Sequence, residues 1–109
     1  MHVVIFEVEP TDAGRDEYLS IAGGLRAELE KIDGFISIER FESLVTPGKV
    51  LSLSTWRDEA AIKAWRSQTN HRAAQDRGRE ELFAGYRIRI AQVSRDYDMT
   101  RAEPFGGSK

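Results

Sequence analysis

The sequence predicts an α+β domain of order βαββαβ, with a four-stranded antiparallel sheet carrying its helices on one face. Three observations predict it. Apolar residues follow strand patterning in Val3–Glu9, Phe35–Ser43, Val50–Trp56 and Tyr86–Tyr97. They recur at i, i+3 and i+4 between the first and second of these stretches, and again between the third and fourth. Thr46-Pro47-Gly48-Lys49 joins the middle two, and its proline pre-sets φ while its glycine supplies a positive φ, as a hairpin requires. One right-handed crossover per half and this central hairpin then fix the topology.

The first strand, Val3–Glu9, is rich in β-branched and aromatic residues and stops at Pro10, which has no N–H to give a ladder. Thr11–Gly14 is turn chemistry. From Arg15, the residues Tyr18, Ile21, Ala22, Leu25, Leu29 and Ile32 make one helical stripe to about Lys31. Gly23 and Gly24 interrupt it at about 1 kcal/mol each relative to alanine, which implies a close approach by another element or a kink. Asp33–Gly34 serves as C-cap and turn. Phe35–Ser43 carries Glu39, Arg40 and Glu42, as an edge or half-exposed strand does.

Val50–Trp56 returns as the third strand, and Asp58 is placed to cap the helix that follows. Ala61, Ile62 and Trp65 form that helix's apolar stripe. Thr69 and Asn70 offer a second cap, and His71, Ala74, Gln75, Gly78 and Leu82 share one face of a further helix, so the second helical segment is broken in two. Gly85 is its expected C-cap. In the fourth strand, Tyr86, Ile88 and Ile90 alternate with Arg87, Arg89 and Ala91, the mark of two distinct faces. The domain is expected to span 1–101, with 102–109 a frayed Gly-Gly-Ser tail.

At 109 residues the chain is one domain with a modest core. A net charge of −2 and a pI near 5.7 argue against nucleic acid as a partner. The absence of cysteine removes disulfides, thiolate nucleophiles and Cys-type metal sites. Two histidines in unrelated places make no spaced ligand set, so no metal is expected. No apolar run approaches the roughly 20 residues of a membrane span, and the N-terminus enters a strand directly rather than a basic leader. Cytoplasmic residence is the resulting expectation. The sheet face away from the helices lacks cover within so short a chain, and a homodimer is expected to supply it.

Trp56 to Arg66 reads W-x-D-E-x-A-I-x-A-W-R, and His71 to Gln75 reads H-R-x-A-Q. With these motifs the chain resembles the antibiotic biosynthesis monooxygenase-like family of small dimeric α+β-barrel proteins, and the resemblance runs from Val3 to Tyr97. It implies a ferredoxin-like subunit, two sheets facing each other across a dimer, and one pocket per subunit between sheet and helices. It further implies a cofactor-free monooxygenase acting on a quinol or polycyclic phenol, an aromatic small molecule. Triplet dioxygen reacts with such a substrate once a phenolate or enolate can give it an electron, so the protein must bind, deprotonate and exclude water.

The residues that fit these tasks each have a plainer alternative. Trp65 is either core or one wall of a flat pocket. Trp56, ending a strand, reads as structural. His71 at a helix start is biased toward the neutral ring, so it is either the base or a cap or dimer contact. Arg87 and Arg89 project from one strand face; they hold a phenolate if that face lines the pocket, and otherwise belong to a solvated or interfacial face with Glu7 and Glu39 as cross-strand partners. The haem-degrading branch of the same superfamily uses an asparagine and a histidine at positions that here carry Glu7 and Gln75, which makes both candidate substrate contacts. That branch is the second functional reading. A non-catalytic small-molecule-binding dimer is the third, since a fold alone does not fix a function.

Overall fold

The computed structural model describes residues 1–67 and 83–100. Its elements are β1 (His2–Pro10), α1 (Arg15–Gly24), α2 (Arg26–Leu29), β2 (Phe35–Glu42), β3 (Val50–Trp56), α3 (Glu59–Arg66) and β4 (Phe83–Gln92). The sheet order is β2-β3-β1-β4, and every neighbouring pair is antiparallel. This is the ferredoxin-like α+β arrangement that the sequence predicts.

Strand parity sorts the side chains into two sets. Along β3, Val50, Ser52, Ser54 and Trp56 are buried while Leu51, Leu53 and Thr55 are half-buried. The register carries this parity across the sheet: Phe6 lies opposite both Ser52 and Ile88, whereas Glu7 lies opposite Leu51 and Arg87. The even-numbered set of β1 therefore faces the helices, and Val3, Ile5 and Glu7 face outward. β2 is an edge strand, as its charges suggest. A bulge shifts its register between Phe35 and Ser37, so Phe35 pairs with Trp56 and yet Ile38 and Arg40 also turn toward the helices.

The helix side holds two apolar clusters. One gathers Val8, Tyr18, Ala22 and Val50. The other gathers Leu29, Trp56, Ala61, Ile62 and Trp65, with Phe35 meeting Trp56 edge-on at 5.3 Å between ring centroids. Trp56 and Ile62 are each 1% exposed, and burying a chain the size of isoleucine contributes about 1.5–3 kcal/mol.

Local chemistry sets the entry to α3. Asp58 Oδ1 accepts from the Ala61 N–H at 2.9 Å, the cap expected from sequence. Arg57 binds Asp33 through both terminal nitrogens at 3.1 Å each, and Nε reaches Asp58 at 3.1 Å. Gly34 sits at φ +97, where a Cβ would stand 2.7 Å from Ala61 Cβ. The hairpin glycine, Gly48, has φ +85.

Several boundaries differ from expectation. The stripe to Lys31 divides at Leu25 into α1 and α2. No close approach accounts for Gly23 and Gly24, since a Cβ at either would meet no described atom within 4 Å. Gly85 is inside β4, not a helix C-cap, because β4 already begins pairing at Phe83 opposite Pro10. β4 stops at Gln92 rather than Tyr97 because β1 begins at His2, its partner, and only Val93 N–H finds the Met1 carbonyl beyond it. The second cap at Thr69 and Asn70, the helix carrying His71, and 102–109 lie outside the described residues. No described helix is long and apolar enough to cross a membrane.

Candidate active site

A cavity of about 150 Å³ lies between the sheet and the helices. Its floor is the even set of the sheet: Val4, Phe6, Ile38, Arg40, Ser52, Ser54, Trp56 and Ile88. Its roof comes from Tyr18, Ile21, Ala22, Leu25 and Leu29 on the first helical segments and from Ile62, Trp65 and Arg66 on α3. The lining draws on both apolar clusters. Its walls are therefore hydrocarbon and indole, with few polar groups.

Several of those polar groups gather around Arg40. Arg40 Nη2 donates to the Ala22 carbonyl at 3.1 Å, which fastens an edge-strand side chain to α1. Arg40 also hydrogen-bonds the Tyr18 side chain one turn earlier. Burial pushes the Tyr18 phenol above its ordinary pKa, against a smaller opposing pull from the Arg40 charge, so it is held as a neutral hydroxyl. Ser52 is the cross-strand neighbour of Arg40. On the indole side, Trp56 Nε1 donates to Ser54 Oγ at 2.9 Å.

Trp65, 7% exposed, packs in the second cluster and also lines the cavity. Trp56 is structural and also contributes to the wall. Arg87, Arg89 and Glu7 are brought together, but on the outward face and away from the cavity. There Glu7 bridges Arg89 and Lys49, at 2.8 Å to each, and the Lys49 hydrogen bond above all holds its carboxyl below the usual range. Glu39 pairs with Leu53 rather than with β4. His71 and Gln75 lie outside the described residues. Sequence reasoning missed Arg40, Ser52, Ser54 and Arg66; the parity of Arg40 with Ile38 was the available signal. Among the described residues, no group of three or more His, Asp or Glu side chains could hold a metal ion.

The model of the antibiotic biosynthesis monooxygenase family matches residues 1–77. A relative from Pyricularia oryzae, the jasmonate monooxygenase ABM, is 47% identical over 94 residues, covering 86% of this chain and 44% of the relative. This chain belongs to the antibiotic biosynthesis monooxygenase family. The uncharacterised Bacillus subtilis protein YqjZ is 34% identical over 62 residues, 57% of this chain and 53% of its own. The chain thus spans about half the length of these curated relatives. A solved antibiotic biosynthesis monooxygenase-type structure from Deinococcus radiodurans superposes with a TM-score of 0.81 at 13% identity, over 91% of this chain and 98% of that one, so the two share a fold.

Proposed function

We propose that this chain is a monooxygenase that oxidises a small, mainly apolar aromatic molecule with dioxygen, without a bound cofactor. The observation that carries this reading is the cavity itself: apolar, walled by Trp56 and Trp65, and served at one end by a guanidinium and a neutral phenol. The family and the jasmonate monooxygenase relative support the monooxygenase part of it.

For a quinol or anthrone-type substrate the chemistry closes without an outside reductant. In an anthrone a methylene loses two hydrogens and gains one oxygen atom as a carbonyl. In a quinol a ring C–H becomes C–OH while the two hydroxyls give up their hydrogens to become quinone carbonyls. In both, the second oxygen atom leaves as water. All four electrons that dioxygen takes come from the substrate. The protein binds the ring against the indoles, keeps water out and assists the deprotonation that makes electron transfer feasible. His71, which follows the cavity residues Trp65 and Arg66 in sequence, is the proposed base. On the cavity side Arg40 and Arg66 are the cations available to an anionic group of the substrate.

The outward face of the sheet, with Ile5, Leu51 and Leu53 flanked by Glu7, Arg87 and Arg89, is the proposed homodimer interface. Oxygen uptake with a panel of hydroquinones and anthrones tests the reading. Turnover is expected, and His71→Gln should slow it by about 10²-fold while wild-type rates rise with pH as the base is freed. No uptake with any of the panel would leave a binding module instead.

A further inference from the structure

Resting on the reading that the cavity is the substrate site, we propose that it selects a carboxylic acid: a small apolar molecule whose carboxylate sits against Arg40 beside Tyr18 and Ser52. Its hydrocarbon body lies toward Ile62 and Trp65.

The starting observation is an unmet donor. Arg40 Nε is buried and has no hydrogen-bond partner among the described residues, although Nη2 is anchored on the Ala22 carbonyl at 3.1 Å. A buried N–H of a cation left unpaired is costly, more so than a neutral group, and native proteins rarely keep one without a use. Three other guanidinium groups of the described residues have carboxylates at short range: Arg15 has Glu42 at 2.9 Å, Arg57 has Asp33 at 3.1 Å and Arg89 has Glu7 at 2.8 Å. The cavity-lining Arg40 has no such carboxylate among the described residues.

The surroundings fit an acid. Tyr18 and Ala22, one turn apart on α1, hold the guanidinium from the helix side, so the fork is positioned before a ligand arrives. The Tyr18 oxygen engages Arg40, and a phenol held neutral sets no negative charge against an acid at that end. Ser52, directly across the strand pair, brings a hydroxyl. A guanidinium matches the two oxygens of a carboxylate better than a single phenolate oxygen. The rest of the lining is hydrocarbon and indole, and about 150 Å³ is the size of a cavity that admits one benzene ring. This assigns the acid group a place apart from the carbon that is oxidised.

Isothermal calorimetry on the full chain with hydrocinnamate and its methyl ester tests the proposal. The acid should bind at least about 10-fold more tightly than the ester. Its advantage should vanish as the probe's carboxyl protonates below about pH 4.5, with the ester unaffected. Arg40→Gln should erase the acid preference while keeping the ester's affinity, and Arg40→Lys should restore part of it. Should the glutamine variant fail to fold, the wild-type acid–ester pair and its pH profile still decide. Equal affinity for acid and ester, or no heat from either at millimolar concentration, overturns the proposal. Oxidation of neutral hydroquinones without any acid preference would overturn it and leave the monooxygenase reading standing. Acid-selective binding without oxygen uptake would support it and remove the monooxygenase.

Discussion

Trp56 Nε1 donates to Ser54 Oγ at 2.9 Å, two residues back on the same strand and on the same face. The bond fixes the plane of an indole that is 1% exposed, and so fixes one wall of the cavity. Ser54→Ala removes the acceptor and leaves a buried donor unpaired. It should lower stability by about 1–3 kcal/mol, read from the denaturant midpoint, and blunt ligand binding as the wall loosens.

Trp65 belongs to the core and to the cavity at once, so Trp65→Phe should show both effects together. Stability should fall by about 1 kcal/mol. Binding of an aromatic ligand should weaken several-fold in the same variant. A stability loss with unchanged affinity would make Trp65 core alone.

The two kinds of glycine should respond in opposite directions. Gly34→Ala meets a positive φ and the Ala61 side chain, and should cost more than about 1 kcal/mol. Gly23→Ala, within α1 and facing open space, should stabilise by about 0.5–1 kcal/mol. Thermal denaturation of the pair measures both.

Acid should loosen the junction before α3. The hydrogen bonds from Arg57 hold Asp33 below its ordinary value of 3.8, and the Ala61 N–H, then Arg57, does so for Asp58. A carboxyl whose pKa is depressed by folding contributes fully above its unfolded value, and that contribution is lost as pH falls toward the lower folded one. Stability should therefore decline below about pH 4, and less steeply in Asp58→Asn, which keeps a capping oxygen but does not titrate. A profile unchanged by the substitution would remove Asp58 from the account.

Sedimentation tests the outward face. The wild type should run at twice its 12.3 kDa chain mass, and Leu53→Arg, which sets a charge among Ile5 and Leu51, should run as a monomer. A wild-type monomer at micromolar concentration would remove the homodimer.

The legible part of this chain was its periodic part. Val50–Trp56 begins and ends where its alternation does, and Asp58 caps as its position implies, because both depend on near neighbours. Arg40 was hidden by a bulge. Counting alternately from Phe35 puts it on the outward face, and the one-residue shift before Ser37 puts it inside. Arg87 and Arg89 were known to share a face, but which face follows from pairing with β1, a contact across some eighty positions. The end of β4 likewise depends on where its partner begins. Pairing partners distant in sequence, and not local propensity, account for each of these differences.

In β1, Phe6 and Glu7 are consecutive, yet one touches the cavity and the other the ion pairs of the opposite surface. Two histories of selection can thus be written along a single strand. Changes at Val4 and Phe6 reshape the cavity, and changes at Val3, Ile5 and Glu7 reshape the surface proposed to meet a second copy, each set without touching the other. Inserting one residue there would exchange the two vocabularies at a stroke, so this segment should tolerate substitution far better than a change in length.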